Sequence, residues 1–183
     1  GRAISGQIGY FIFDLFDPAQ PTLSFKERYE ILDTLKSLAD GKSETIAFPI
    51  NVDAAIKMAE NEYEKTLSHF RSQLGSIETK ANRSEEQEFL RDEYPFLSFE
   101  EWASCIAQMS GCQKTLPKSF NFEKIGNLAF VPTIKVANKA ELLVLYYAAL
   151  DQKFEGLMAR NAAGPYATST ENKTSKNRSV DLQ

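Results

Sequence analysis

Histidine and cysteine are almost missing from this chain. His69 is the single histidine in 183 residues, and Cys105 and Cys112 are the two cysteines. One histidine removes imidazole-based triads and most histidine metal sites from consideration. His69 lies in a polar helical stretch, so a surface position is expected. Two cysteines make no disulfide framework. On one helix, seven residues would hold them about 10 Å apart, beyond disulfide reach. They read as reduced thiols in a core. Basic charge is not in excess either, with 21 Lys and Arg against 25 Asp and Glu, a net charge of −4. That excludes a global electrostatic footprint for nucleic acid and leaves only a local basic face. No apolar run is long enough to span a bilayer, and no signal peptide is visible. A cytoplasmic protein that makes no membrane contact is expected.

What remains is ordinary soluble-protein composition, 43% hydrophobic and 25% charged. The length suffices for a domain with a real core. The chain opens at Gly1 without an initiator methionine and stops at Gln183 after a polar run. It therefore reads as a piece of a longer protein, or as one processed at both ends.

The rest of the chain is organised around Tyr10–Leu38. Tyr10 to Phe16 is apolar and aromatic apart from Asp14, which favours a buried strand. Alternation puts Phe11 and Phe13 on one face and Ile12 and Asp14 on the other. Asp17-Pro18 and Pro21 break regular structure. Ser24 and Glu27 form a capping box for a helix with apolar positions at Tyr29, Ile31, Leu32, Leu35 and Leu38, stopped at Gly41.

Residues 1–9 read as a loop or short edge strand, and 45–50 as a short strand bent at Pro49. Asn51 caps a long helix over about 52–74, with Glu60, Glu62, Glu64 and Lys65 on its solvated face. Ser84 opens a polar helix ended by Pro95. Ser98 and Glu101 box the start of a helix over about 99–110, with Phe99, Trp102, Ile106 and Met109 as its apolar stripe. Residues 120–129 give a mixed signal. A strand is expected over 128–136, bent at Pro132, then an Asn138-capped helix over about 139–151, and another strand over 153–160. Beyond Asn161 the chain is a polar loop.

Two stretches carry a resemblance. Phe-x-Phe-Asp, a Pro-containing loop and Phe-x-Glu-Arg-Tyr-x-x-Leu (residues 11–32) resemble motif IIIa of ATP-dependent DNA ligases. Phe154-Glu155-Gly156-Leu157-Met158-Ala159-Arg160, followed by Gly164-Pro165-Tyr166, resembles motif IV of the same family, and the order matches. These ligases belong to the covalent nucleotidyltransferases, with RNA ligases and mRNA capping enzymes. The resemblance covers about 8–40 and 126–183. It implies an α+β fold: part of an adenylation domain, ATP-grasp-like, with an antiparallel sheet flanked by helices. On that reading 1–50 and 125–183 belong to the adenylation domain, and 51–124 is a mostly helical insertion.

The implied function is part of an ATP-dependent DNA ligase, which seals nicks through a lysyl-AMP intermediate. Its cofactors would be ATP and Mg²⁺, its partner nicked DNA, and its state monomeric. Phe13 matches the aromatic that stacks on adenine. Glu155 matches the motif IV carboxylate, a catalytic group beside the nucleotide that holds the metal. Arg160 matches a basic position facing phosphate or adenylate. Arg28 matches a helix arginine with a structural role, pairing a nearby acid. No Lys-x-Asp-Gly occurs in the 183 residues, so this stretch lacks the nucleophile. The family's Glu-bearing motif III and the Lys-x-Lys of motif V are also absent. RNA ligase or capping chemistry is the close alternative. A non-catalytic α+β binding protein, with residues 52–110 docking a partner, is the rival from another class.

Overall fold

The computed structural model describes residues 10–38, 43–73, 86, 89–90 and 97–165. The expectations for residues 1–9, for a stop at Gly41 and for the loop beyond residue 165 lie outside the described residues, as does most of the helix expected over 84–94. In chain order the described elements are β1 (Tyr10–Ile12), α1 (Phe25–Leu38), β2 (Ser43–Pro49) and α2 (Val52–Gln73). Next come α3 (Phe99–Met109), a 3₁₀ turn (Ser110–Lys114), β3 (Ser119–Ile125), β4 (Leu128–Phe130) and α4 (Lys139–Asp151). The class is α+β, with a four-stranded sheet in the order β1-β4-β3-β2.

That sheet is mixed, which corrects the antiparallel sheet expected from the sequence. β3 and β4 run antiparallel, but β1 pairs parallel to β4, Tyr10 opposite Leu128 and Ile12 opposite Phe130. The reason is topological: β1 reaches its neighbour after more than a hundred residues of chain, not through a hairpin. Within the mixed signal of 120–129 lies a tight hairpin. Gly126 and Asn127 form its two-residue loop between the paired Ile125 and Leu128. Gly126 has φ +59°, which a first central residue in such a loop requires and glycine adopts without strain.

The chain divides into two compact units. One comprises residues 1–48, 120–134 and 158–183, the other 49–119 and 135–157. The second holds α2, α3 and α4, which pack on one another. Trp102, Met109 and Val144 are fully buried there, and Leu90 and Leu143 nearly so. α4 is apolar almost all round, as befits a helix enclosed by others. Asn51 and Asn138 accept from Ala54 N and Glu141 N at 3.0 and 2.9 Å, so both expected caps form. The Ser98–Glu101 capping box is complete. Cys105 and Cys112 are free, buried thiols, and burial pushes both up in pKa. His69 is exposed, as expected.

The first unit holds the sheet and α1. The Ser24–Glu27 capping box forms, Ser24 N donating to Glu27 at 2.8 Å and Glu27 N to Ser24 Oγ at 3.3 Å. α1 buries Phe25, Arg28 and Leu32, while Leu35 and Leu38 of the expected apolar stripe are 50% and 72% exposed. A salt bridge from Lys36 to Glu123, 3.3 Å, ties α1 to β3.

The strand expected over 153–160 is absent. α4 runs to Asp151 and ends in a Schellman cap: Lys153 N donates to Leu150 O and Phe154 N to Ala149 O, both at 3.0 Å. Lys153 takes the left-handed position, φ +67°, where glycine is usual. The cap consumes the first residues of the expected strand, and Gly156 at φ +153° departs from strand geometry again. The strand expected over 128–136 stops at Phe130, two residues before Pro132.

Candidate functional site

Asp14 is an acid inside an apolar sequence run, and such a group must be paired when it is buried. Its side chain is 5% exposed. Arg28, one turn into α1 and 3% exposed, meets it with two parallel hydrogen bonds: Nε to Oδ1 at 2.9 Å and Nη2 to Oδ2 at 3.1 Å. This planar, two-pronged match is the strongest form of carboxylate recognition. Arg28 Nη1 donates to the Leu23 carbonyl at 2.6 Å, and Leu15 N donates to Asp14 Oδ1 at 2.8 Å. The structural role expected for Arg28 is thus what the geometry gives it, with Asp14 as the acid.

A third charge joins them from 146 residues away. Arg160 Nη1 donates to Asp14 Oδ2. Burial pushes the Asp14 carboxyl up. The Arg28 hydrogen bonds, the Leu15 N–H and the charges of Arg28 and Arg160 outweigh that and hold it below the usual carboxylate range. Arg160 also lies against two rings, with Cζ 5.6 Å from the Phe13 centroid and 5.1 Å from the Phe25 centroid. Its Nη2 and Nε also donate to the Met158 sulfur, at 3.0 and 3.2 Å.

Backbone holds the same two segments together. Phe25 N donates to Gly164 O at 2.8 Å and Lys26 N to Ala162 O at 2.9 Å, so the first turn of α1 is capped by the 160–165 segment. Ser24 forms an isolated bridge with Pro165. The stretches resembling motifs IIIa and IV therefore meet around one buried carboxylate.

Phe13 is 50% exposed and stands beside Arg160. The buried strand expected over Tyr10–Phe16 is not what forms: β1 ends at Ile12 with Tyr10 and Phe11 exposed, and beyond it Phe13 faces out while the Asp14 side chain is buried against Arg28. Glu155 is exposed and belongs to the helical unit, whereas Phe13 and Arg160 belong to the sheet unit. Among the described residues no three His, Cys, Asp or Glu side chains group to hold a metal ion. A single carboxylate is nonetheless a normal protein contribution to Mg²⁺ held mainly by phosphate and water.

Sequence reading missed the role of Asp14. The signal was present: one acid in an aromatic strand, with an arginine on the following helix. A cleft of about 470 Å³ in the helical unit was also missed. It is lined by Pro49, Ile50, Asn51, Val52, Gln113, Leu116, Pro117 and Lys118, and contains none of the expected site residues. Among the described residues Glu141 is a second buried acid, 5% exposed and held by the neutral donors Ala137 N and Thr115 Oγ1, each at 2.7 Å. These lower its pKa against the opposing effect of burial. It caps and anchors α4 from within, a structural use. Compared with protein families, with characterised proteins and with solved structures, the chain matches none.

Proposed function

We propose that this chain is the nucleotide-facing part of a covalent nucleotidyltransferase, an ATP-dependent DNA ligase by the wording of its two motif-like stretches. The observation that carries the reading is the junction of those stretches: Asp14 binds both Arg28 and Arg160, and the exposed Phe13 ring lies beside the Arg160 guanidinium. A purine needs a flat apolar surface, and its phosphate needs a fixed cation; Phe13 and Arg160 supply these side by side.

In this reading Phe13 stacks on adenine, Arg160 takes a phosphate oxygen, and Asp14 and Arg28 fix the plane of Arg160. Bound Mg²⁺ would neutralise phosphate charge, and the resemblance alone gives Glu155 as a carboxylate to hold it. No Lys-x-Asp-Gly occurs in the 183 residues, so this reading assigns no AMP-accepting lysine here. RNA ligase and capping chemistry share these parts. The rival reading, a non-catalytic binding protein, draws on the placement of Glu155 in the other unit and on the missing lysine.

The test uses the full gene product, incubated with α-labelled ATP or GTP and Mg²⁺ and run on a denaturing gel. An acid-labile AMP label, weakened by Glu155→Ala and by Phe13→Ala, supports the ligase reading. Label from GTP alone moves the assignment to capping chemistry. No label from either nucleotide, with the protein folded, overturns the enzyme and leaves the binding protein.

A further inference from the structure

Arg160 has two functional edges. One is committed to Asp14, whose charge is already matched by the buried Arg28. Taken by themselves, the three side chains Asp14, Arg28 and Arg160 sum to one positive charge, and Arg160, 26% exposed, is the outer cation of the three. The other edge, Nε with Nη2, is the pair that binds a carboxylate or phosphate side-on. In this structure it meets the thioether of Met158, a weak acceptor with no charge. Met158 is itself 68% exposed, so little packing holds it there. Phe13 and Phe25 bound the guanidinium, and Asp14 holds its far side, so the edge is oriented before anything binds. The first-turn N–H groups of Phe25 and Lys26 are used by Gly164 and Ala162. The helix terminus is thus not the attraction.

We infer that the Nε/Nη2 edge of Arg160 is an oxyanion site for a phosphate monoester, with the Met158 sulfur as a placeholder that the phosphate displaces. The exchange replaces two N–H···S contacts with two charge-assisted N–H···O bonds and neutralises the excess charge. The exposed Phe13 ring beside it gives the monoester a surface for an attached base. This deepens the nucleotide reading above by naming the group that Arg160 takes and the side chain that must move.

The test is a titration of inorganic phosphate, then AMP, into the 183-residue protein, followed by the ³¹P shift of the ligand. Three proteins are compared: the parent, Met158→Leu and Met158→Glu. Met158 is exposed, so neither substitution disturbs a core, and circular dichroism checks the fold. The parent should give a saturable shift. Met158→Leu, which removes the competing sulfur, should bind phosphate at least as tightly. Met158→Glu, which supplies a competing carboxylate, should bind about tenfold or more weakly. No saturable shift in the parent, or equal affinity in all three, overturns the inference. The two readings also fail separately. AMP binding that is unchanged by Met158→Glu refutes the oxyanion edge alone. Phosphate binding that Met158→Glu abolishes, with AMP no better than phosphate, refutes the nucleotide site alone.

Discussion

The two units of this chain solve burial in opposite ways. The helical unit closes around Trp102, Met109, Leu143 and Val144, and its buried acid Glu141 is satisfied by neutral donors. The sheet unit buries a charged pair, Asp14 with Arg28, and leaves Tyr10, Phe11 and Phe13 between 50% and 68% exposed. An apolar core with a polar surface is what stability alone selects. A charged interior beneath exposed aromatic rings has a different logic. It fixes side chains in place at some cost and leaves apolar surface available for a ligand. The sheet unit is therefore where binding is sought, and the helical unit is where stability is.

Substitutions sharpen that contrast. The largest effect is expected from Trp102→Ala, which removes a fully buried ring and should cost about 3–5 kcal/mol in urea unfolding. Arg28→Met should cost nearly as much, about 3–5 kcal/mol, by leaving the Asp14 charge buried without its main partner. Acid tells the two apart. The Asp14 carboxyl is held below its usual value of 3.8, so its contribution to stability is present above 3.8 and is lost as pH falls below that through the lowered folded value. The Arg28→Met penalty should shrink as pH drops below 3.8, because Asp14 can then take a proton, whereas the Trp102→Ala penalty should stay level. Equal pH profiles would contradict the contrast between the two interiors.

Smaller effects come at the surface. Lys153→Gly relieves a left-handed lysine in the Schellman cap and should raise the unfolding free energy by about 0.5–1 kcal/mol in urea unfolding. Phe13→Ala should change stability by no more than about 0.5 kcal/mol, since the ring is half exposed. Its AMP affinity should nevertheless fall by about tenfold, the worth of a stacking ring in comparable sites. A Phe13→Ala protein that unfolds would make this ring a core residue and dissolve the distinction.

Much of the helical architecture was legible in the sequence, because helix signals are local. Asn51, the Ser98–Glu101 box and Asn138 mark their helix starts, and apolar spacing fixes the buried face of α3, though not of α1, whose Leu35 and Leu38 are exposed. The strands were less legible. β1 pairs with β4 across the length of the chain, and no local pattern reports a partner that distant. The Gly126-Asn127 loop was a readable hairpin signal, but Asn121, Glu123 and Lys124 diluted the apolar alternation on its first arm. Residues 153–160 looked like a strand by composition, yet the end of α4 claimed the first of them for its cap. Phe13, Glu155 and Arg160 were picked from wording alone, and of these Phe13 and Arg160 lie side by side. Asp14, which joins two of the segments, was given a face but no role, because that role depends on residues far away in sequence.

The central claim is that Asp14 couples the two motif-like segments into one site. A double-mutant cycle of Asp14→Asn and Arg160→Gln, read in urea unfolding at neutral pH, tests it most directly. The account predicts a coupling energy of at least about 0.5 kcal/mol between positions 146 residues apart in sequence. Simple additivity of the two losses would mean that Arg160 does not depend on Asp14, and the site as described would not exist.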